Sequence, residues 1–490
     1  MASNLWPASP LRNQDWIIQA ETSIIGFMSE AIYWSASTIA TAIRAGNLTS
    51  REIVDACLER IEQVNPKINA VVQLVAERAC AEADELDRLA ASGRFRGPLH
   101  GVPITIKDSL DSEGIVSTGG TMGRKDFVPR QDAPVVARLR DAGAVLLGKT
   151  NTPELTLSAE TSNLIYGRTL NPYDLERSPG GSSGGSAAII ACGGAALELG
   201  SDTGGSIREP AHFCGITGIK PTSGRTSRSG HIVPYGGGVM DSLTQIGPMA
   251  RYVEDLVLAL PIICGPDGRD PAVVPVTIGN PAEVELSNLR IAWYADNGIL
   301  VAADDIQRVV ADTARQLQAQ RFNIEQKQLP GMRELVNLST ELRESANAGL
   351  IMRLLQRYDT QQPGPDLAGY LTADGIARAN SVDPVLMEAI DEARSRALGF
   401  FADYDAILCP PSHVLARPHQ ASHGDSFDDW SYVTIHNLLG WPGLSVRAGT
   451  SADGLPVGVQ VVAAPWREDI VLALALKIEA LMGGYQKPPL

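Results

Sequence analysis

The chain has 490 residues, 44% hydrophobic and 20% charged, the composition of a globular protein long enough for two to four domains or for one large α/β unit. Its formal net charge of −15 at pH 7 disfavours a sequence-independent grip on nucleic acid or anionic lipid, because both need clustered Lys and Arg. Six dispersed cysteines without a CxxC pair argue against a disulfide framework or a zinc knuckle and fit reduced thiols in a cytoplasm.

No run approaches the 18 to 20 apolar residues of a spanning helix. Residues 15–34 are strongly apolar but contain Asp15, Glu21 and Glu30 and no basic residue, whereas a membrane-surface helix presents Lys and Arg to headgroups. Membrane contact is therefore not expected, and packing against the body or a second subunit, as in a homodimer, is. Residues 1–33 read as a helical N-terminal extension, 34–482 as the main domain and 483–490 as a tail. Thr49 to Glu52 spells a capping box, opening a helix whose apolar positions Ile53, Cys57, Leu58, Ile61 and Val64 run to Pro66. A second helix is expected over 76–91.

The run GVPITI (101–106) predicts a strand that ends in Lys107 and Asp108. A helix over 134–142 and a strand over 144–147 follow. Residues 143–150, GAVLLGKT, match the phosphate-loop pattern GxxxxGK[ST], but the four variable positions are Ala-Val-Leu-Leu. These read as the strand itself, not as an exposed cradle between strand and helix, so nucleotide binding is not expected.

Residues 163–179 form an irregular stretch, and residues 178–206, SPGGSSGGSAAIIACGGAALELGSDTGGS, place two glycine- and hydroxyl-rich loops around an apolar segment. Glycine lets backbone amides approach a reacting atom closely, and the buried character of the flanking residues argues against a flexible linker. Gly180 to Gly184 satisfies GxSxG, yet Pro172 and Pro179 preclude the strand that a nucleophile elbow requires before its serine. Residues 207–238 read as loop-rich. The region 270–400 is more charged, with helices over 305–320 and 384–398 and a polar loop at 361–366. His413, His419 and His423 lie near Asp425 in a loop whose ligand geometry is unspecified, so a solvated loop is expected instead of a metal site. Strands over 404–409 and 455–462 and a helix over 469–481 close one large α/β domain.

A Ser-Lys design is an alternative to a serine-histidine one, but no lysine here has a serine three positions before it. Three stretches now carry a family resemblance: LHGVPITIKD (99–108), SPGGSSGGSAA (178–188) and GSDTGGSIREPAHFCGITGIKP (200–221), with GLPVGVQVV near the C-terminus. Together they closely resemble the amidase signature family, Ser206 following Ser182 by 24 positions as it does there. The resemblance implies a single large domain with a mixed, mostly central β-sheet covered by helices on both faces. It implies Ser206 as nucleophile, Ser182 as bridging serine on a cis peptide after Gly181, and Lys107 as base. The amides of Thr203, Gly204, Gly205 and Ser206 are expected to form the oxyanion hole. Ser183 and Asp202 would hold the loops, Arg208 would pair with a carboxylate below the site, and Thr156 and Leu157 would line the acyl pocket. A lysine can accept a proton only when neutral, so burial must bring its pKa down from about 10.4.

The expected activity is hydrolysis of a small-molecule carboxylic amide through an acyl-enzyme, without metal or cofactor. Carbamate, anilide or ester hydrolysis is the nearest alternative. After it come the A-type subunit of a tRNA-dependent amidotransferase, whose usual sequence after the nucleophile loop is shorter than residues 231–248 here, and a non-catalytic binding protein on the same fold.

Overall fold

The computed structural model describes residues 24–236, 238–379, 383–419 and 427–490. One mixed sheet of 11 strands organises the chain. In chain order these are β1 (Val71–Leu74), β2 (Pro103–Lys107), β3 (Val145–Thr150), β4 (Leu197–Asp202), β5 (Thr217–Lys220) and β6 (Gln245–Ala250), then β7 (Arg290–Trp293), β8 (Asn323–Gln326), β9 (Ala406–Cys409), β10 (Gly443–Thr450) and β11 (Pro456–Ala463). Their order across the sheet is β1-β3-β2-β4-β6-β5-β10-β11-β9-β7-β8. β2 is parallel to both neighbours, with Lys107 opposite Thr150 of β3 and Ile106 opposite Leu199 of β4. The centre from β4 through β6, β5, β10 and β11 to β9 is antiparallel, and β7 and β8 extend it in parallel. Helices cover both faces, as the resemblance implied.

β2 is buried at all five positions, and its β-branched Ile104, Thr105 and Ile106 suit a strand enclosed on both faces. The false phosphate loop resolves the same way. Gly148, Lys149 and Thr150 lie inside β3, buried throughout, and the Lys149 ammonium donates to Ser117 Oγ at 2.9 Å and to the Leu110 carbonyl.

The capping box at Thr49 and Glu52 is present, and its helix runs Ser50–Ile68, through Pro66 instead of ending there. Proline in the last turn forfeits few bonds, and Asn69 stops the helix in a left-handed conformation at φ 49°. Of the apolar N-terminal segment, residues 15–23 lie outside the described residues, while Ile24–Ala31 is a helix packed on Ser50–Ile68. The tail folds back: the Lys487 ammonium meets Glu30 at 3.0 Å, and Arg60 donates to the Leu490 carbonyl at 2.8 Å.

Two regions are more regular than expected. Residues 207–238 contain the helix Arg208–Phe213 and β5. Residues 270–400 contain β7, β8 and the 26-residue helix Met332–Arg357 besides the helices Asp304–Ala319 and Pro384–Leu398. The polar loop at 361–366 runs into a short helix, Pro365–Ala368. No helix among the described residues is long and apolar enough to cross a membrane.

Candidate active site

The site gathers at the ends of β2 and β4. Four helices frame it: α1 (Gly184–Ala191), α2 (Arg208–Phe213), α3 (Met332–Arg357) and α4 (Ser431–Leu438). The loop after residue 178 leads into α1 through a cis bond between Gly181 and Ser182. The loop after β4 leads through Ser206 into α2. The backbone joins the two loops, the Ser183 N–H donating to the Ser206 carbonyl at 3.2 Å.

Lys107, at the end of β2, is fully buried. Its Nζ lies 2.6 Å from Ser182 Oγ, 2.8 Å from Ser183 Oγ and 3.0 Å from Ser201 Oγ. Ser201 was not singled out from the sequence, because nothing but its place on β4 brings it there. Burial brings the Lys107 pKa down to about 7, against the opposing pull of Asp202 and Glu198. Glu198, below it on β4, is pushed up to about 8 by burial, with hydroxyls of Thr105 and Thr150 around it. The amine thus sits among three hydroxyls with no ionised carboxylate in direct contact.

Asp202 and Arg208 form a fully buried ion pair, with Arg208 Nε 3.0 Å from Asp202 Oδ2 and Nη2 3.0 Å from Oδ1. Burial alone would raise the Asp202 carboxyl, but the Arg208 guanidinium and Asn437 hold it well below the usual carboxylate range. The pair shapes the nucleophile loop directly, since Asp202 also accepts the N–H of Gly205 at 2.8 Å and of Ile207 at 3.1 Å. Gly205 was expected among the oxyanion donors, yet its N–H is given to Asp202, so its part here is to hold the loop's shape. It also has φ +117°, and a Cβ would lie 2.6 Å from Val433 Cγ2, so only glycine fits.

Sequence reasoning missed the far half of this brace. Arg208 donates to Gln460 Oε1 on β11 at 2.8 Å and to Asn437 Oδ1 on α4 at 2.6 Å. Neither residue belongs to a motif, and only the fold brings them within reach. Arg208→Met is expected to lower unfolding stability by about 3 to 5 kcal/mol, the loss seen when one partner of a buried pair is removed. Asn437→Ala should lose less, about 1 to 3 kcal/mol. Urea unfolding of both variants checks the order, and equal losses would show that the ion pair is not the dominant brace.

A cavity of about 480 Å³ opens over the loops. Ser206, Gly181, Thr203 and Gly204 line its floor, and Thr156 and Leu157 line it as well. Leu155 and Thr156 have left-handed backbones, φ 52° and 62°, a strained geometry for residues other than glycine. The far wall holds residues the sequence did not single out: Glu209, Arg343, Asn347, Tyr370 and Trp430.

Among the described residues, no histidine lines the cavity or bonds to Lys107, Ser182 or Ser206. His231 Nδ1 lies 3.0 Å from the Val233 carbonyl, and buried His436 stacks on Trp441. Of the His413 cluster, His413 lies 3.7 Å from Asp429 and His419 Nε2 lies 3.2 Å from the Leu175 carbonyl; His423 and Asp425 lie outside the described residues.

The sequence model of the family described as Amidase matches residues 52–472. The chain belongs to the amidase signature family. It is an enzyme of the amide C–N bond. Among curated relatives, the A-type subunit of a glutamyl-tRNA(Gln) amidotransferase from Oleidesulfovibrio alaskensis is 35% identical, over 93% of this chain and 99% of the relative. Among solved amidase signature structures, a chain described with a vestigial protein complex and the evolutionary origins of an s-triazine catabolic enzyme is 30% identical. It superposes with a TM-score of 0.82 over 93% of this chain and 100% of that one. The peptide amidase of Stenotrophomonas maltophilia is 28% identical, with a TM-score of 0.78 over 93% and 98%.

Proposed function

We propose that this family member cleaves a carboxylic amide through an acyl-enzyme on Ser206, with Lys107 as base and Ser182 as the proton relay. The observation that carries this reading is the buried Lys107 amine 2.6 Å from Ser182 Oγ. Neutral Lys107 accepts the Ser182 proton while Ser182 takes the proton of Ser206, whose Oγ attacks the amide carbon. The negative charge that develops on the carbonyl oxygen meets the amides of Thr203, Gly204 and Ser206, a preorganised donor set. Ser182 returns the proton to the leaving nitrogen, the C–N bond breaks, and water, activated by the same relay, releases the acid.

Two settings fit this chemistry, and they differ in substrate and partners. One is a free-standing hydrolase of amides, with carbamates, anilides and esters as related substrates. The other is the A-type component of a glutamyl-tRNA(Gln) amidotransferase. It moves ahead of its rank from sequence, because a relative of that name matches nearly end to end despite the long segment 231–248. In that setting the chain would act beside partner proteins, and the expectation that nucleic acid plays no part would fall. The six unpaired cysteines support a reducing compartment in either setting.

The test is to treat the protein with a serine-directed phosphonate, map the adduct, and compare ammonia or amine release from glutamine, simple amides, anilides and carbamates. We expect one adduct, on Ser206, and an adduct on any other residue would overturn the mechanism. Preference for glutamine by tenfold or more favours the amidotransferase setting, and preference for another class favours the free-standing hydrolase.

A further inference from the structure

The acyl-transfer machinery leaves the one cation among the described residues of the cavity lining unexplained, on a wall that also carries the carboxyl groups of Glu209 and Asp366. Arg343 is that cation, and it is only 6% exposed. It stands on a polar stripe, Ser339, Arg343 and Asn347, along the buried face of α3. Its Nη2 donates to the Thr203 carbonyl at 2.7 Å, and its Nε lies at 3.5 Å from Ser339 Oγ.

A guanidinium carries five N–H donors, and the other deeply buried arginines either pair with a carboxylate, as Arg228 does, or spread several donors over oxygen acceptors, as Arg447 does, although Arg228 Nη2 and Arg447 Nε are themselves without a partner. Arg208 and Arg225 are ion-paired with Asp202 and Glu468. Arg251 has no carboxylate but donates to the carbonyls of Ile190, Ala195, Ile32 and Trp34 at 2.7 to 2.9 Å. Arg343 has neither arrangement among the described residues. A buried charge left without an opposite charge is unfavourable, and it faces the space where a substrate must sit.

Two neighbours point the same way. Asn347 Oδ1, one turn along α3, and Thr434 Oγ1, on α4, are buried without a hydrogen-bond partner, and both residues line the cavity. The position is equally specific. A Cβ on Gly204 would lie 3.1 Å from Arg343 Nη2, so the guanidinium rests against the backbone two residues before Ser206.

We propose that Arg343 binds a carboxylate of the substrate, with Asn347 and Thr434 as polar neighbours, so that the enzyme acts on amides bearing an anionic group a short chain away from the scissile carbonyl. This rests on the cavity being the acyl-transfer site described above, and it holds in either setting. The bidentate geometry of guanidinium and carboxylate makes Arg343 specificity-determining and gives lysine only part of the same effect.

The experiment compares succinamate and glutaramate with the uncharged butanamide and pentanamide, for wild type, Arg343→Met and Arg343→Lys. Binding of succinate and glutarate to Ser206→Ala is measured by calorimetry, which needs no turnover. Wild type is expected to prefer the carboxylates by about 10- to 100-fold in kcat/KM, the range of a charge-assisted pair. Arg343→Met should lose that preference and Arg343→Lys retain part of it, with circular dichroism separating misfolding from loss of the contact. Equal handling of charged and neutral amides by wild type, or full preference in Arg343→Met, overturns the assignment. Carboxylate binding to Ser206→Ala without phosphonate labelling of wild-type Ser206 would keep the subsite and overturn the acyl-enzyme. Labelling without carboxylate preference would do the reverse.

Discussion

Ser206→Ala is expected to lower kcat by about 10⁵-fold or more with the fold intact, the scale found when a nucleophile that works as part of a unit is removed. The substitution deletes one oxygen on the cavity floor. The Ser206 carbonyl still accepts the Ser183 N–H, and the Asp202 bonds to Gly205 and Ile207 are main-chain contacts that alanine keeps. Stability should therefore move by less than about 1 kcal/mol, in line with substitutions that break no buried network. The measurement is steady-state release of ammonia or amine alongside a urea unfolding curve. A folded Ser206→Ala protein with more than a hundredth of wild-type kcat would place the attacking group elsewhere.

Lys107→Met should lower kcat/KM by about 10²- to 10⁴-fold, the usual contribution of a positioned base, and should change the pH profile. The amine titrates near 7 because burial disfavours its charge, and only the neutral form accepts a proton. Wild-type kcat/KM should thus fall about tenfold per unit as pH drops below about 7 and level off above it. In Lys107→Met that rise should vanish, since no group titrating near 7 then lies against Ser182 Oγ. Methionine matches the length of the stem but leaves Ser182, Ser183 and Ser201 without their shared partner, so some destabilisation accompanies the loss. Persistence of the same pH rise in the variant would assign it to another group, and Glu198, pushed up to about 8, is the one to test next.

The parts of the site that were legible in the sequence are those packed into short local patterns. Lys107 follows a β-branched run, and the two serines stand in glycine loops whose flanks are apolar. The brace around Asp202 was half legible, because Arg208 lies six positions away and Asn437 and Gln460 lie more than 200 positions on. Arg343 shows a different obstacle. On α3 the buried face carries Ser339, Arg343 and Asn347 where a scaffold helix would carry apolar residues, so the stripe that normally announces a helix is broken by the residues facing the cavity. β8 escaped for a third reason: it is a short, largely exposed edge strand, Asn-Ile-Glu-Gln, with little apolar alternation.

The brace also ties the site to the order in which the chain is made. Synthesis delivers Lys107, Ser182 and Ser206 first, and the N-terminal part of a chain can begin to fold as it emerges. Arg208 must then wait for Asn437 and Gln460, the second of them 252 residues later, before its guanidinium is enclosed. A nascent or truncated chain ending before α4 has every residue of the proposed relay and lacks the wall that fixes the nucleophile loop. The geometry of the proposed relay therefore depends on side chains that the ribosome adds more than 200 residues after Ser206.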